Sequence, residues 1–298
     1  MAENTLEVTE QSAVADFSTL EDVVNQTLGQ DFKVKPIENG ISTGFEILDK
    51  EIGGLQNGNL TTIIVKPGMG KTALLLSIAT NLALKKDHSI AIFSAERSKE
   101  RIAKRIIESE TGMSLNNIQN GKFKAEDKEH INTLINTIAK SNIFINDSTE
   151  LTHFELSQKA INLKQVNDVN LIIVDYLELI STGSNEDIPI EEKFRIIVES
   201  LKELARDLNI PVLLFSQQQL YPGIISEVKP EFNDIPQYLN ELSDVVLFLH
   251  RCDIYNKPVV GNSKGKPVEI IVAKNKDVSP NKTITIRYIE SIAKFTDN

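Results

Sequence analysis

The sequence predicts an α/β fold, with a mainly parallel central sheet, helices on both faces and an antiparallel C-terminal extension. Three observations predict it. From Ser42 onward, short apolar runs of strand character alternate with segments of helical period, and strands separated by helices pair in parallel through right-handed crossovers. A Gly-rich turn within "TTIIVKPGMGKTALLLSIATNLAL", residues 61–84, joins one such strand to one such helix. Towards the C-terminus, three apolar runs follow one another with no long helix between them, as antiparallel neighbours do.

Taken in order, residues 1–16 are polar and without period, the composition of a disordered arm. "FSTLEDVVNQTLGQ" then places Ser18 and Glu21 as a capping box ahead of a stripe of Leu20, Val23, Val24 and Leu28, which predicts a short amphipathic helix ended by Gly29. The link "DFKVKPIENG" carries a Pro and a Gly and no helical period. The chain therefore divides into an arm with a linker helix, 1–37, and one larger α/β domain, 38–298. The apolar stripe needs a partner, and either its own domain or a neighbouring subunit would supply one.

Within the domain, "LTTIIV", "SIAIFS", "SNIFIND", "NLIIVDYL" and "IPVLLFSQ" read as strands, with helices over 97–109, 125–140, 153–166 and 191–208. "DVVLFLHR", "VEIIVAKN" and "TITIRYI" read as the antiparallel extension.

The turn has the geometry of a phosphate cradle. Gly68 and Gly70 permit backbone conformations closed to other residues, so amides from Gly68 to Thr72 can converge at a helix N-terminus, where the dipole favours an anion. Pro67 stiffens the loop. The cradle spans Lys66, Pro67, Gly68, Met69, Gly70, Lys71, Thr72 and Ala73. Lys71 is placed to reach terminal phosphates and Thr72 to ligate magnesium. The general phosphate-loop pattern has Gly where Val65 stands, so the match is to its Gly-Lys-Thr half.

Ligands of parallel sheets bind beyond the strands' C-terminal ends, and three apolar runs end there in polar residues. "IAIFSAE" delivers Glu96, "LIIVD" delivers Asp175 and "VLLFSQ" delivers Ser216 and Gln217. Asp175 suits magnesium opposite Thr72, Glu96 suits orienting and deprotonating a water, and Gln217 suits sensing a terminal phosphate. Any one of them alone would equally serve as a cap or turn residue.

The chain has 298 residues and a formal charge of -10, a balance unlike that of a protein that coats nucleic acid but compatible with a local basic channel. Its single Cys, Cys252, allows no intrachain disulfide and suits a reducing compartment, where it reads as a packed apolar residue. His88, His130, His153 and His250 lack zinc-ligand spacing. No apolar run approaches the roughly 20 residues that cross a bilayer, and "MAENTLEVTE" is not a signal peptide. A soluble, cytoplasmic protein is expected.

The motifs "ISTGFEILDKEIGGLQNGNLTTIIVKPGMGKT", "IAIFSAE", "LIIVDYLELI", "LKELARDLNIPVLLFSQ" and "SDVVLFLHRCDIY" together resemble the C-terminal motor domain of DnaB-type replicative helicases, a RecA-like ATPase family, over residues 38–290. The family commonly has the first Gly of the loop substituted, as at Val65. The resemblance implies that Lys71 and Thr72 bind the phosphates and magnesium of ATP, that Glu96 activates water, that Asp175 holds the metal and that Gln217 senses phosphate. It further implies a homo-oligomeric ring, a hexamer, with ATP at subunit interfaces, single-stranded DNA as the track and replication proteins as partners. The helix at 18–28 becomes a linker docked on the next subunit.

Several features depart from that family. Its N-terminal helical domain is missing, which expects either a shortened piece or a shorter paralogue. In "AKNKDVSP", Lys274 is kept and Lys276 stands where the family places an arginine finger; lysine lacks the planar bidentate contact of guanidinium. The segments that should grip DNA, "STGSNEDIPIEE" and "QQLYPGIISEVKPEFNDIPQYLNE", carry eight carboxylates against one Lys. Phosphate backbones are held chiefly by Lys, Arg and amides; here only the amides remain, and both segments read better as turns and solvated acidic loops. The expected activity is an ATP-hydrolysing helicase motor. The alternatives are a divergent paralogue that binds ATP and regulates or scaffolds, and a member of the recombinase or clock-type branch.

Overall fold

A computed structural model of the chain describes residues 40–183, 188–217, 228–255, 265–276 and 282–297. The predicted arm and linker helix, and parts of both acidic segments, lie outside the described residues.

The parallel part of the sheet is built from β1 (Leu60–Val65), β2 (Ile90–Ser94), β3 (Ile143–Asn146), β4 (Leu171–Asp175), β5 (Val212–Gln217) and β6 (Val245–His250). The antiparallel part is β7 (Lys266–Asn275), β8 (Lys282–Ile289) and β9 (Lys294–Thr296). Their order across the sheet is β3-β2-β4-β5-β1-β6-β7-β8-β9. Helices α1 (Glu46–Ile52), α2 (Lys71–Lys85), α3 (Lys99–Thr111), α4 (Leu115–Gln119), α5 (Lys128–Ala139), α6 (His153–Asn167), α7 (Ile190–Leu208) and α8 (Gln237–Leu242) accompany them. Helices cover both faces of the sheet, with a hydrophobic core on each.

Every residue of β1 is buried, as expected of an interior strand covered on both faces. Its side chains alternate between two cores. Ile63 and Val65 join Leu74, Ile78 and Leu82 of α2 and Leu48 of α1 on one face, while Leu60 and Ile64 join Leu156 of α6, Leu201 of α7 and Leu239 of α8 on the other. Fully burying one such aliphatic side chain stabilises by roughly 1.5–3 kcal/mol, so residues in these two layers hold β1 in place from both sides.

The run "DVVLFLHR" does not belong to the antiparallel extension. β6 lies parallel to β1, with Thr61 opposite Val245, and the direction reverses only at β7. The long return from β5, which contains α8, brings the chain back to the N-terminal edge of the sheet before β6 begins, and a parallel pair requires such a return. Helix α2 is buried continuously from Thr72 to Ala83, on every side rather than along a single stripe. The far end of the chain supplies part of that cover. Phe295 of β9 donates its amide to Ser77 Oγ of α2 at 2.9 Å, stacks on Tyr288 of β8 at 4.8 Å between ring centroids, and places its ring against the loop ahead of α2. Lys294 pairs with Glu110 of α3 at 2.6 Å. Among the described residues, no helix is long and apolar enough to cross a membrane.

Candidate functional site

The chain leaves β1 at Val65 and reaches α2 through a loop made possible by two glycines. Gly68 lies at φ 81° and Gly70 at φ 100°, in the left-handed region that side chains rarely adopt. A Cβ on Gly70 would also stand 3.2 Å from the Phe295 ring, so the loop fits closely over β9. No side chain caps α2, and the first amides of a helix have no partner within it. They sit at a cleft of ≈ 250 Å³ whose lining includes Gly68, Gly70–Ala73, Glu96, Arg97, Arg105, Gln217 and Arg251. In a chain of net charge -10, five cationic residues, Lys66, Lys71, Arg97, Arg105 and Arg251, line this cleft, a local balance that suits an anion at a helix N-terminus.

Lys71, Glu96 and Asp175 are brought together there. Lys71 Nζ lies 2.7 Å from Glu96 Oε2, donates to Asp175 Oδ1 and sits 3.7 Å from the Tyr176 ring centroid. Register explains the meeting, because β2 and β4 are adjacent and Ser94 pairs with Asp175, so both acids emerge beside the loop. Asp175 is 1% exposed; burial pushes its carboxyl above the usual range despite the pull of Lys71. Glu96 is also raised by burial, but the hydrogen bond and charge of Lys71, with Arg97 and Arg105, outweigh that and hold it below the usual range. Thr72 Oγ1 accepts a hydrogen bond from Arg97 Nε at 3.2 Å, and Arg97 Nη2 reaches Glu96 Oε1 at 3.2 Å.

The remaining loop residues divide by environment. Pro67 is exposed and Met69 is buried, with Met69 Sδ accepting the Arg251 amide at 3.4 Å. Lys66 lines the cleft, yet its ammonium donates to the Val228 carbonyl at 3.0 Å, and burial lowers its pKa. Lys274 and Lys276 are not brought to this cleft. They lie at the opposite edge of the sheet, where Lys274 Nζ donates to the Asn240 and Ser243 carbonyls and Lys276 Nζ lies 3.0 Å from Asp244 Oδ1.

Four residues that sequence reasoning passed over complete the site. Arg97 bridges Thr72 and Glu96, and Tyr176 lies beside Lys71, as above. Arg251 lines the cleft with its guanidinium 4.2 Å from the Tyr288 ring, fixed by Asp253 at 2.7 Å. Glu178 accepts the Ser216 hydroxyl at 2.6 Å and the Gln217 amide at 3.0 Å. It thereby ties the end of β5 to the turn that follows Asp175. Arg97, Tyr176 and Glu178 lay within three residues of an acid already singled out, so following each strand one turn further would have found them.

Glu178→Ala leaves a buried hydroxyl and an amide without their acceptor, which costs about 1–3 kcal/mol. The expected result is a lower unfolding midpoint in urea, with Glu178→Gln losing less because its carboxamide oxygen still accepts. Equal loss in both variants would show that the charge, not the acceptor, matters.

Comparison with known proteins places these features in a family. Residues 40–297 match the model of the DnaB-like helicase C terminal domain. The chain is 30% identical to the replicative DNA helicase DnaB of Geobacillus stearothermophilus over 301 residues, covering 98% of this chain and 64% of that protein. It is 30% identical to the replicative DNA helicase DnaC of Bacillus subtilis (strain 168), covering 99% of this chain and 66% of that one. The chain thus spans about two thirds of the length of these relatives. Among solved structures it resembles the ATPase domain of G40P, with a TM-score of 0.82, 25% identity and coverage of 95% of this chain and 100% of the other. It also resembles a DnaB-like replicative helicase studied for its interactions with primase, with a TM-score of 0.79, 25% identity and coverage of 100% and 72%.

Proposed function

Because the chain belongs to the family of DnaB-like helicase C-terminal domains, we propose that it is an ATP-hydrolysing motor, cytoplasmic and assembled into a hexameric ring of its own copies, that translocates on single-stranded DNA during replication. The observation that carries the reading is the meeting of Lys71, Glu96 and Asp175 at the N-terminus of α2.

The residues present fit magnesium and a triphosphate. Uncapped amides and the Lys71 ammonium suit phosphate oxygens, and the buried Asp175 carboxylate with the Thr72 hydroxyl are the hard oxygen donors that magnesium takes. When bound, magnesium supplies charge neutralisation across the phosphates. The chain's own residues do the rest. The loop from Lys66 to Ala73 fixes the phosphates, Lys71 offsets their charge, and Glu96 orients a water and accepts its proton. Gln217, at a strand end that Glu178 anchors, would contact the terminal phosphate, so its loss would be felt between β4 and β5.

Lys274 and Lys276 lie at the sheet edge away from their own cleft, and in a ring that edge would meet a neighbour's cleft. Lys276 stands there with 43% of its side chain exposed and one partner carboxylate. Lys276→Arg is expected to raise turnover about tenfold, a small part of the roughly 10³–10⁵ that an arginine finger contributes elsewhere. The check is steady-state ATPase rate at fixed protein concentration; unchanged turnover would remove Lys276 from the reaction.

The experiment that tests the whole reading is ATPase rate with and without single-stranded DNA, beside a light-scattering mass in ATP. A motor gives DNA-stimulated turnover and a ring-sized mass. Bound ATP with no turnover in either condition would instead favour a regulatory or scaffolding subunit.

A further inference from the structure

We propose that His250, Cys252 and Glu269 form a transition-metal site suited to zinc, separate from the phosphate loop. The register of the sheet builds it. His250 ends β6 and pairs directly with Glu269 of β7, and direct cross-strand partners project from the same face with Cβ atoms about 5 Å apart. Cys252 follows two residues later, in the turn Cys252–Tyr255. One potential ligand atom from each residue lies within 4.8 Å of the other two. Zinc with bonds of about 2.0–2.3 Å holds tetrahedral ligands closer than this, so the three side chains must converge by roughly an ångström, within reach of side-chain rotation.

The donor chemistry selects the metal. A thiolate and an imidazole favour zinc, cobalt or copper over magnesium and calcium, which take oxygen. His250 is buried, while Cys252 and Glu269 are half-buried, so the site opens to solvent on one side and leaves a fourth position for water. Lys229 Nζ lies 3.1 Å from Glu269 Oε2. It would orient the carboxylate while the other oxygen ligates, as outer partners of metal-bound carboxylates do. The position gives the site a consequence, because Arg251 lies between two of the ligands and lines the cleft. A metal bound there would fix the backbone on both sides of that guanidinium.

The test is titration of the full chain, stripped with EDTA, with cobalt(II) chloride as the probe. One equivalent is expected to give a thiolate-to-cobalt charge-transfer band and the visible bands of a tetrahedral site, both displaced by zinc. Cys252→Ser should abolish the charge-transfer band. His250→Ala and Glu269→Gln should each weaken binding by about tenfold or more, since even outer partners are worth 10- to 100-fold. Lys71→Ala should leave the bands unchanged, which separates this site from the nucleotide cleft. Absence of the band in the wild-type chain would overturn the proposal whatever the variants do, and so would a band that survives both His250→Ala and Glu269→Gln.

Discussion

Glu96→Gln is expected to lower steady-state ATP turnover by about 10²- to 10⁴-fold, the contribution of a positioned general base, while ATP affinity changes only a few-fold. The geometry separates the two effects. Glu96 is the more exposed of the two carboxylates on Lys71, with 32% of its side chain exposed against 2% of the Asp175 side chain. It sits at the open side of the cleft, where a water can reach it. The amide retains the shape and one acceptor oxygen but cannot take a proton. Lys71→Ala is the contrasting variant, because it removes the cation proposed to face the phosphates and leaves Asp175 buried without its partner, so binding itself should fail. Turnover measured beside calorimetric ATP titration distinguishes them. If Glu96→Gln turns over at the wild-type rate, another group activates the water.

Asp244→Ala is expected to destabilise the domain by about 3–5 kcal/mol, the loss seen when one partner of a buried ion pair is removed. In a domain of this size that lowers the melting temperature by about 10 °C. Asp244 accepts the Leu60 amide at 2.7 Å, pairs with Lys202, and lies 3.0 Å from Lys276 Nζ. Lys202 has 8% of its side chain exposed and also donates to the Gly58 carbonyl at 3.1 Å, so without Asp244 its charge stays buried. The knot holds the starts of β1 and β6 to α7. Burial raises the Asp244 carboxyl, but the hydrogen bonds from Lys202, Leu60 and Lys276 outweigh it and hold the group below its ordinary value. A depressed folded-state value means that this contribution is complete above the ordinary aspartate pKa of about 3.9 and is lost as pH falls through the lower, folded value. Asp244→Asn should therefore flatten the acid side of the stability profile. Calorimetric scans across pH would show it, and an unchanged acid limb would assign that limb to other carboxylates.

Much of this architecture was legible because it is local. The β-branched run before Pro67, the glycines at 68 and 70 and the apolar residues of α2 dictate strand, turn and helix within 25 residues, and acids that end apolar runs must emerge at one sheet edge once the strands are parallel. What escaped reading depends on register. Nothing near "DVVLFLHR" says that its neighbour is β1 rather than β7 alone, because the 27 residues between β5 and β6 allow either direction. Likewise, Lys202 and Asp244 are 42 positions apart, and only folding makes them a pair. The short helices α1, α4 and α8, of seven, five and six residues, carry too few turns to establish a period. Arg97 and Glu178 stand beside residues that were singled out, yet only the placing of their partners gives them a role.

The seat of Phe295 has a consequence for biosynthesis. Its amide bonds a serine 218 positions earlier, and its ring lies under Gly70, so the floor of the phosphate loop is made late, from nearly the last of the described residues to leave the ribosome. A nascent chain that has emerged only through β8 owns every loop residue yet lacks that floor. The packing of the loop is therefore completed only by the strand that carries Phe295.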